Sequence, residues 1–431
     1  MEFAEDVITI CQDLIRIDTT NFGDNKARGE REAAEYCQAK LAEVDVESTI
    51  YESEPGRASL IARIPGADRS LPALILHGHL DVVPAIAEDW SVDPFGGVIK
   101  DGMLWGRGAV DMKHMDAMIL AGVRRMMRSG VQPKRDLIIA FFADEEAGGT
   151  YGAQWLVSNH AEVFEGAGEA ISEVGGFSTF INGKRVYLLQ TAEKGMQWVE
   201  LNARGTAGHG SQINTDNPVT TLASAISRIG EHEWPYEYTK TTRALLESVA
   251  ELTGQEFDEQ HPEPLLEALG HTANFVTATL KNTSNPTVLD AGYKMNVIPT
   301  AAKALVDIRV LPDNEDHVNE ILADLAGEQV AIKHLHTGPA LEVPFSGDLV
   351  EAMIHHLQQH DPEAVVFPYM LSGGTDNKAL ARLGITGYGF TPLQLPEGFD
   401  FTAMFHGVDE RIPLDSLVFG AEVLYDLAIS Y

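Results

Sequence analysis

The stretch Leu-Pro-Ala-Leu-Ile-Leu-His-Gly-His-Leu-Asp at residues 71–81 decides the fold predicted for this 431-residue chain. Its opening run is apolar throughout, which predicts a buried central strand that begins near Pro72. A second apolar run after Asp136 predicts another buried strand, and helical patterns at 112–129 and 153–160 alternate with these strands. This order predicts an α/β layer with a mostly parallel central sheet, whose functional residues lie at the carboxyl ends of the strands.

The middle of the chain has a different pattern. Residues 197–204 alternate between apolar and polar side chains, as in a strand with one exposed face. A helix, a strand and a second helix are predicted at 217–230, 302–311 and 315–325. This order predicts a smaller α+β domain that is inserted into the first domain.

We therefore predict a first domain in two parts, residues 1–193 and 339–431, with the smaller domain at 194–338 between them. Residues 231–270 interrupt the pattern of the smaller domain, and we interpret them as an insertion. This stretch is marked by its aromatic residues Trp234, Tyr236 and Tyr238.

The charge of the chain limits its partners. Its 31 Lys and Arg residues against 64 Asp and Glu residues give a net charge of −33. A nucleic-acid-binding protein needs a basic face and anionic membranes attract basic segments, so both classes of partner are disfavoured. The sequence has no apolar run of ~18 residues and no secretion signal at its start, which favours a cytoplasmic location. Cys11 and Cys37 are too few for a disulfide framework and are expected to be buried thiols.

Acidic residues and histidines follow several of the predicted strands. His79 and Asp81 come directly after the central strand and, two residues apart, share one face of an extended chain. Asp111 begins a predicted helix after a glycine-rich loop, where it is also suited to cap that helix. Glu145 and Glu146 follow the second buried strand, where successive carboxylates repel one another unless cations offset them.

Five residues are candidate metal ligands: His79, Asp111, Glu146, Glu173 and His406. All of them offer nitrogen or oxygen donors and none is a thiolate, a set that suits zinc, cobalt or manganese in a hydrolytic site. A neighbouring carboxylate can serve there as a base toward water. Taken singly, each motif also fits an ordinary helix cap or a solvated loop.

Taken together, and in order along essentially the whole chain, these motifs resemble the two-zinc metallopeptidase family that includes aminoacylase, carboxypeptidase G, acetylornithine deacetylase and succinyl-diaminopimelate desuccinylase. The resemblance rests on the segments 78–84, 106–113, 144–146, 205–211 and 296–299, and on Glu173 and His406. It implies a catalytic α/β domain with an inserted lid domain, and a homodimer formed through that lid.

The resemblance implies two divalent metal ions, zinc in the first instance, with cobalt or manganese as alternatives. Asp111 is expected to bridge the two ions. His79 and Glu173 are expected to complete one metal site, and Glu146 and His406 the other.

The resemblance also implies roles for residues that bind no metal. Asp81 is expected to orient His79, and Glu145 to act as the general base. His209 of the lid is expected to act on the active site of the partner subunit. Three further positions match substrate-binding residues of the family: Asn296, Arg309 and Gly374.

The implied substrate carries a free carboxylate beside the amide bond that is cleaved. Arg309 is suited to bind this carboxylate through paired hydrogen bonds, but it can also pair with Asp307 on the same face of its strand. The predicted function is metal-dependent hydrolysis of N-acyl-amino acids or short peptides, with the aromatic residues of 231–270 lining an acyl pocket or enlarging the dimer contact. A dipeptidase and a narrow biosynthetic deacylase of the acetylornithine or desuccinylase type are alternatives. A metal-holding protein without turnover is disfavoured because Glu145 is present.

Overall fold

The predicted central strand lies at Ala73–His79, and each of its residues is buried. The structure is a computed structural model that describes residues 2–23 and 25–431. Leu74 and Leu76 of this strand face one apolar core, and Ile75 faces another. Because both faces of the strand are covered, its sequence is continuously apolar rather than alternating.

The strands, labelled β1 to β19 in chain order, are Ser48–Glu54, Arg57–Ile64, Ala73–His79, Val98–Lys100, Met103–Trp105, Leu137–Phe142, Ala167–Ser172, Phe177–Ile181, Lys184–Glu193, Gly195–Arg204, Gly208–His209, Thr283–Ala291, Val297–Ile298, Ala301–Val310, Val330–Gly338, Leu341–Glu342, Val365–Leu371, Thr386–Gly389 and Arg411–Pro413. The α-helices, labelled α1 to α12, are Phe3–Arg16, Arg31–Ala42, Lys113–Ser129, Ala153–Asn159, Pro218–Gly230, Lys240–Thr253, Glu263–Ala268, Ala273–Thr277, Glu315–Ala326, Asp348–His360, Asn377–Ala381 and Leu414–Ser430.

The central sheet has the strand order β1-β2-β6-β3-β7-β18-β9-β16, with β8 and β17 also paired to β9. Neighbouring strands in the group β6, β3, β7 and β18 are parallel, whereas β1–β2, β2–β6 and β9–β16 are antiparallel. Helices α1, α3 and α12 pack on one face of the sheet, and α4 and α11 on the other. The predicted α/β fold is confirmed, but the sheet is mixed, because the mostly parallel arrangement holds only at its centre.

A separate antiparallel sheet has the strand order β12-β14-β10-β15. Val199 and Leu201 of β10 are buried against helices α5 and α9, whereas Trp198 on the opposite face is 40% exposed. Helix α5 begins near its predicted residue because the Asn217 side chain accepts a hydrogen bond from the Val219 amide at 3.0 Å. The predicted inserted α+β unit is therefore confirmed.

Residues 231–270 pack in two different places. Trp234 lies in the core of the smaller sheet, where its Nε1 donates a hydrogen bond to Ser284 Oγ at 3.1 Å. Helix α6 packs instead on β17, and its Leu245 and Leu246 are buried in the main core. The interpretation of the whole stretch as an insertion in the smaller domain is therefore corrected for α6, because this helix completes the core of the larger unit. The exact domain boundaries stay a prediction.

Across residues 2–23 and 25–431, no helix is both long enough and apolar enough to cross a membrane. Cys11 and Cys37 are buried and form no disulfide, as expected. Burial raises the pKa of both thiols above the usual value, which keeps them protonated and unreactive.

Candidate metal centre

The predicted metal ligands come from the carboxyl ends of adjacent parallel strands and from two loops. His79 is the last residue of β3, Glu146 lies just after β6, and Glu173 follows β7. Because these three strands are parallel neighbours, their carboxyl ends meet at one edge of the sheet. Asp111 precedes α3, and His406 lies in the loop before β19.

The carboxylate of Asp111 lies between two imidazole rings. Its Oδ1 is 3.1 Å from His79 Nε2, and its Oδ2 is 3.2 Å from His406 Nε2. On the first side, Glu173 Oε2 is 3.5 Å from His79 Nε2. On the second side, Glu146 Oε2 is 3.1 Å from His406 Nε2. The five predicted ligands are thus brought together as two half-sites that share Asp111.

The electrostatics of this cluster fit the binding of divalent cations. Burial, reinforced by the charge of Asp111, raises the pKa of Glu146 and of Glu173 to about 7. Glu146 Oε1 is buried and has no hydrogen-bond partner among the described residues. One donor atom each from His79, Asp111 and Glu146 lies within 4.8 Å of the others, and the same holds for His79, Glu145 and Glu173. Carboxylate oxygens together with imidazole nitrogens are a donor set that zinc and similar ions accept.

Asp81 contacts His79 in a different way from the one expected. The ring Nδ1 of His79 lies 3.0 Å from the backbone carbonyl oxygen of Asp81, whereas the nearer carboxylate oxygen is 3.5 Å away. The Asp81 carboxylate accepts hydrogen bonds from the backbone amides of Glu145 at 3.1 Å and Glu146 at 3.2 Å. It also accepts one from Asn21 Nδ2 at 2.9 Å. Asp81 therefore fixes both the imidazole of His79 and the segment 144–146 that follows β6, which we call the acidic turn.

Glu410 is a supporting residue that the sequence analysis did not identify. Its buried carboxylate accepts hydrogen bonds from the backbone amides of Gly108, Val110 and Asp111 at 2.6–3.1 Å. It also forms an ion pair with Arg107, at 2.7 Å. These contacts fix the loop that presents the Asp111 carboxylate. The sequence feature that could have identified Glu410 is its position in the same short segment as His406.

Arg57 holds the acidic turn from the other side, again without a signal in the sequence motifs. It pairs with Glu30 at 2.9 Å and with Asp144 at 2.7 Å, and all three side chains are buried. Asp144 has a left-handed backbone with φ of 67° and accepts a further hydrogen bond from Asn21 at 3.1 Å. This network fixes the residue that immediately precedes Glu145 and Glu146.

A cavity of about 480 Å³ opens beside the cluster. Glu145, Glu146 and His406 line one part of it, and Arg309 and Gly374 line another. Apolar surface is supplied by Met196, Trp198 and Pro339. The aromatic residues of 231–270 are not among its lining residues, so the hypothesis that they form an acyl pocket does not apply to this cavity.

His209 and Asn296 lie outside this cavity. His209 is exposed on β11, which pairs with β13 directly after Asn296. Its Nδ1 lies 2.8 Å from Ser211 Oγ. Of the predicted catalytic and substrate-binding residues, the chain brings Glu145, Arg309 and Gly374 to one cavity and holds His209 and Asn296 apart from it.

Comparison with known proteins identifies the family. The sequence profile of the Peptidase family M20/M25/M40 matches residues 75–430. The chain belongs to the M20/M25/M40 peptidase family. As a member of this family it is a metallopeptidase or amidohydrolase, and its fold is the M20 fold.

Several M20 proteins are similar over most of their length. The N-fatty-acyl-amino acid synthase/hydrolase PM20D1 of Xenopus tropicalis is 28% identical over 94% of this chain and 81% of its own length. Probable carboxypeptidase S-like 2 of Dictyostelium discoideum is 29% identical over 83% of this chain and 71% of its own length. The M20 family metallo-carboxypeptidase Sso-CP2 of Sulfolobus solfataricus has a TM-score of 0.75 and 18% identity over 100% of this chain and 99% of its own. The M20 profile begins after Asn21, Glu30 and Arg57, so these three residues, which help to hold the acidic turn, lie outside the matched region.

Replacing Arg57 tests the support of the acidic turn. Arg57→Met leaves Glu30 and Asp144 buried without a counterion, so we expect the free energy of unfolding to fall by about 3–5 kcal/mol. Chemical denaturation of the metal-loaded protein measures this change. Arg31→Met is the matched control because Arg31 forms only exposed pairs with Glu35 and Glu52, and its midpoint should stay unchanged. Equal midpoints for the two variants would contradict a structural role for Arg57.

Proposed function

We propose that the chain is a metal-dependent hydrolase that cleaves the amide bond of N-acyl-amino acids, or of short peptides, next to a free carboxylate. The observation that carries this proposal is one cavity that is lined by Glu145 and Glu146 on one side and by the cationic side chain of Arg309 on the other. An amide held in this cavity can present its carbonyl to the metal cluster while its carboxylate lies toward the cationic side.

The cluster is proposed to hold two divalent ions, with zinc as the expected metal and cobalt or manganese as alternatives. His79, Asp111 and Glu173 would hold one ion, and Asp111, Glu146 and His406 the other. When bound, such ions polarise the amide carbonyl and lower the pKa of the attacking water. Their charges would also compensate those of the carboxylates of Asp111, Glu146 and Glu173.

Glu145 is proposed as the general base. Its carboxylate lines the cavity, and its Oε2 lies 3.9 Å from His79 Nε2, beside the half-site that Glu173 completes. Its Oε atoms would take a proton from the attacking water and return it to the departing nitrogen, which must leave as an amine. The amide of Glu145 donates to Asp81, which holds the base in position.

Two observations favour an acylated substrate. Met196 and Trp198 give the cavity an apolar wall that suits an acyl chain. The relative from Xenopus tropicalis is itself named as an N-fatty-acyl-amino acid synthase/hydrolase. A dipeptidase is the second candidate, because the buried carboxylate of Asp376 also lines the cavity and suits an α-ammonium group.

The protein is further proposed to act as a cytoplasmic homodimer in which His209 reaches the cavity of the partner subunit. His209 is exposed and does not line the cavity of its own chain. Exposed apolar side chains lie on the loops beside it, at Ile213, Tyr293 and Met295. An imidazole that enters the partner's site can donate to the oxyanion of the reacting amide.

Free-amine release from a matched panel tests the function. The panel sets N-acetyl and long-chain N-acyl amino acids against dipeptides with the same C-terminal residue, with added zinc and with chelator. We expect the acylated substrates to be cleaved, and turnover to stop on chelation and return with metal, because the amide needs a polarised carbonyl. Preference for dipeptides would favour the second candidate, and full turnover after metal removal would contradict the proposal.

Glu145→Gln tests the general base. The variant keeps the shape of the side chain and removes its proton-accepting oxygen, so we expect kcat to fall at least about 10²-fold. Metal content, measured on the same preparation by elemental analysis, should match that of the unchanged protein. Retained turnover would exclude Glu145 as the base, and loss of bound metal would assign it to the ligands instead.

Hybrid dimers test the action of His209 across subunits. His209→Ala should lower kcat by about 10²–10³-fold without releasing metal, because a donor to the oxyanion is lost. Mixing this variant with Glu145→Gln after partial dissociation should restore activity, since one of the two sites in each hybrid then receives an intact His209 and keeps its own Glu145. Absence of recovery, with hybrid formation verified by mass spectrometry, would refute the role across subunits.

A further inference from the structure

Of the five candidate ligands, His406 is the most exposed. Its side chain is 56% exposed, whereas those of the other four are at most 11% exposed. It lies in the loop 390–410 between β18 and β19, which we call the ligand loop. Its backbone is left-handed, with φ of 57°, a conformation that residues other than glycine rarely adopt. Such a conformation persists only where the surrounding structure holds it.

The backbone of the ligand loop closes a turn around His406. The His406 carbonyl oxygen accepts a hydrogen bond from Arg107 Nη2 at 3.4 Å. The amide of Gly407 donates to Met404 O at 3.0 Å. A β-carbon on Gly407 would lie 2.5 Å from the Ala403 carbonyl oxygen, so this turn requires glycine directly after the histidine. The attachment of the turn to the core comes from the residue that precedes His406.

That residue, Phe405, packs in a cluster of aromatic rings. Its ring is edge-on to Phe401, with centroids 5.2 Å apart, and nearly parallel to Phe275, with centroids 6.5 Å apart. Phe275 also packs on Tyr369, at 5.8 Å. Tyr369 is fully buried and its hydroxyl donates to a backbone carbonyl oxygen, so it provides a fixed base. Phe275 therefore connects the core to the loop that carries His406.

Phe275 belongs to a part of the chain to which no sequence motif gave a role. It lies in α8, which follows the stretch identified as an insertion and packs on β17 of the central sheet. A second contact joins α8 and the ligand loop, because His271, just before α8, has its Nδ1 3.8 Å from Asp400 Oδ2. This pair is exposed and therefore weak, so the ring of Phe275 is the main contact.

We propose that Phe275 is a positioning residue for the metal ligand His406. Its ring holds Phe405 against the core and thereby keeps the left-handed histidine beside the carboxylates of its half-site. This role rests on the two-ion site of the proposed function. A ligand that is oriented in advance does not have to be ordered when the ion binds, so loss of the orienting residue lowers the affinity for the ion. The half-site that Glu173 completes contains no residue of the ligand loop, so its ion should not depend on Phe275.

Zinc retention by the loaded protein tests this role. The metal-loaded protein is equilibrated with chelator buffers of falling free zinc, and bound zinc per chain is measured by elemental analysis. Phe275→Ala should weaken the binding of one of the two ions about 10- to 100-fold, the range typical of residues that orient metal ligands, and leave the other unchanged. Phe257→Ala is the matched control, because Phe257 is also half-buried but packs on Tyr238 rather than on Phe405. This control should retain both ions.

Two further variants separate positioning from a general loss of packing. Phe275→Tyr keeps the ring and should retain both ions. His406→Ala removes the ligand itself, so the addition of Phe275→Ala to this variant should cause no further change in zinc retention. Circular dichroism of each variant verifies that the chain is folded.

Equal zinc retention in Phe275→Ala and in the unchanged protein would overturn the positioning role. An equal loss of both ions would also overturn it, because it would show a general loosening of the core, and so would a further loss in the double variant. Fewer than two zinc ions in the unchanged protein would instead refute the two-ion site itself. The two failures are distinguishable, because one is seen only in the variants and the other in the unchanged protein.

Discussion

The position of the Asp111 carboxylate between two imidazoles is the constraint on which the site depends. One oxygen faces His79 and the other faces His406, so a displacement of this carboxylate would disrupt both half-sites at once. The loop that carries this carboxylate must therefore be held in a fixed position. Glu410 provides the support through the backbone, because it binds the amide of Asp111 and of two residues before it. The geometry of the cluster is thus set by hydrogen bonds to the loop rather than to the ligand.

Compensation of buried negative charge explains the layers around the cluster. Asp81, Asp144 and Glu30 are buried beside the candidate ligands, and each is held by amides or by Arg57. Their carboxylates are thus paired with donors of the protein itself, whereas Glu146 Oε1 is buried without a hydrogen-bond partner among the described residues. One group of carboxylates therefore supports the structure of the site, and the other group remains available to bind a cation. Burial without a partner is costly, so only the second group gains from a bound ion.

The sequence predicted the parts of the fold and site that depend on local pattern. Continuous apolar runs identified the strands that end at His79 and before Glu145, because a strand covered on both faces must be apolar throughout. Short motifs identified the five candidate ligands, because three of them follow buried strands and the other two, Asp111 and His406, lie in short loops that carry a motif. Glu410 and Arg57 were missed because their contacts join residues far apart in sequence. Helix α6 was misplaced for the same reason, since an amphipathic pattern does not say which core the apolar face enters.

The same distinction applies to two of the cationic residues that line the cavity, Arg309 and Lys378. That Arg309 pairs with Asp307 could be read from the sequence, because residues two apart on a strand share a face. That Lys378 forms no ion pair with a carboxylate of the described residues could not, because the carboxylate of Glu193, which acts electrostatically on Lys378, is engaged by Thr375. A motif identifies the residue types that are typical of a reaction. The side-chain charges that are not paired within the protein decide which ligands a cavity binds. In this chain that remaining charge is negative at the metal cluster and positive at Lys378.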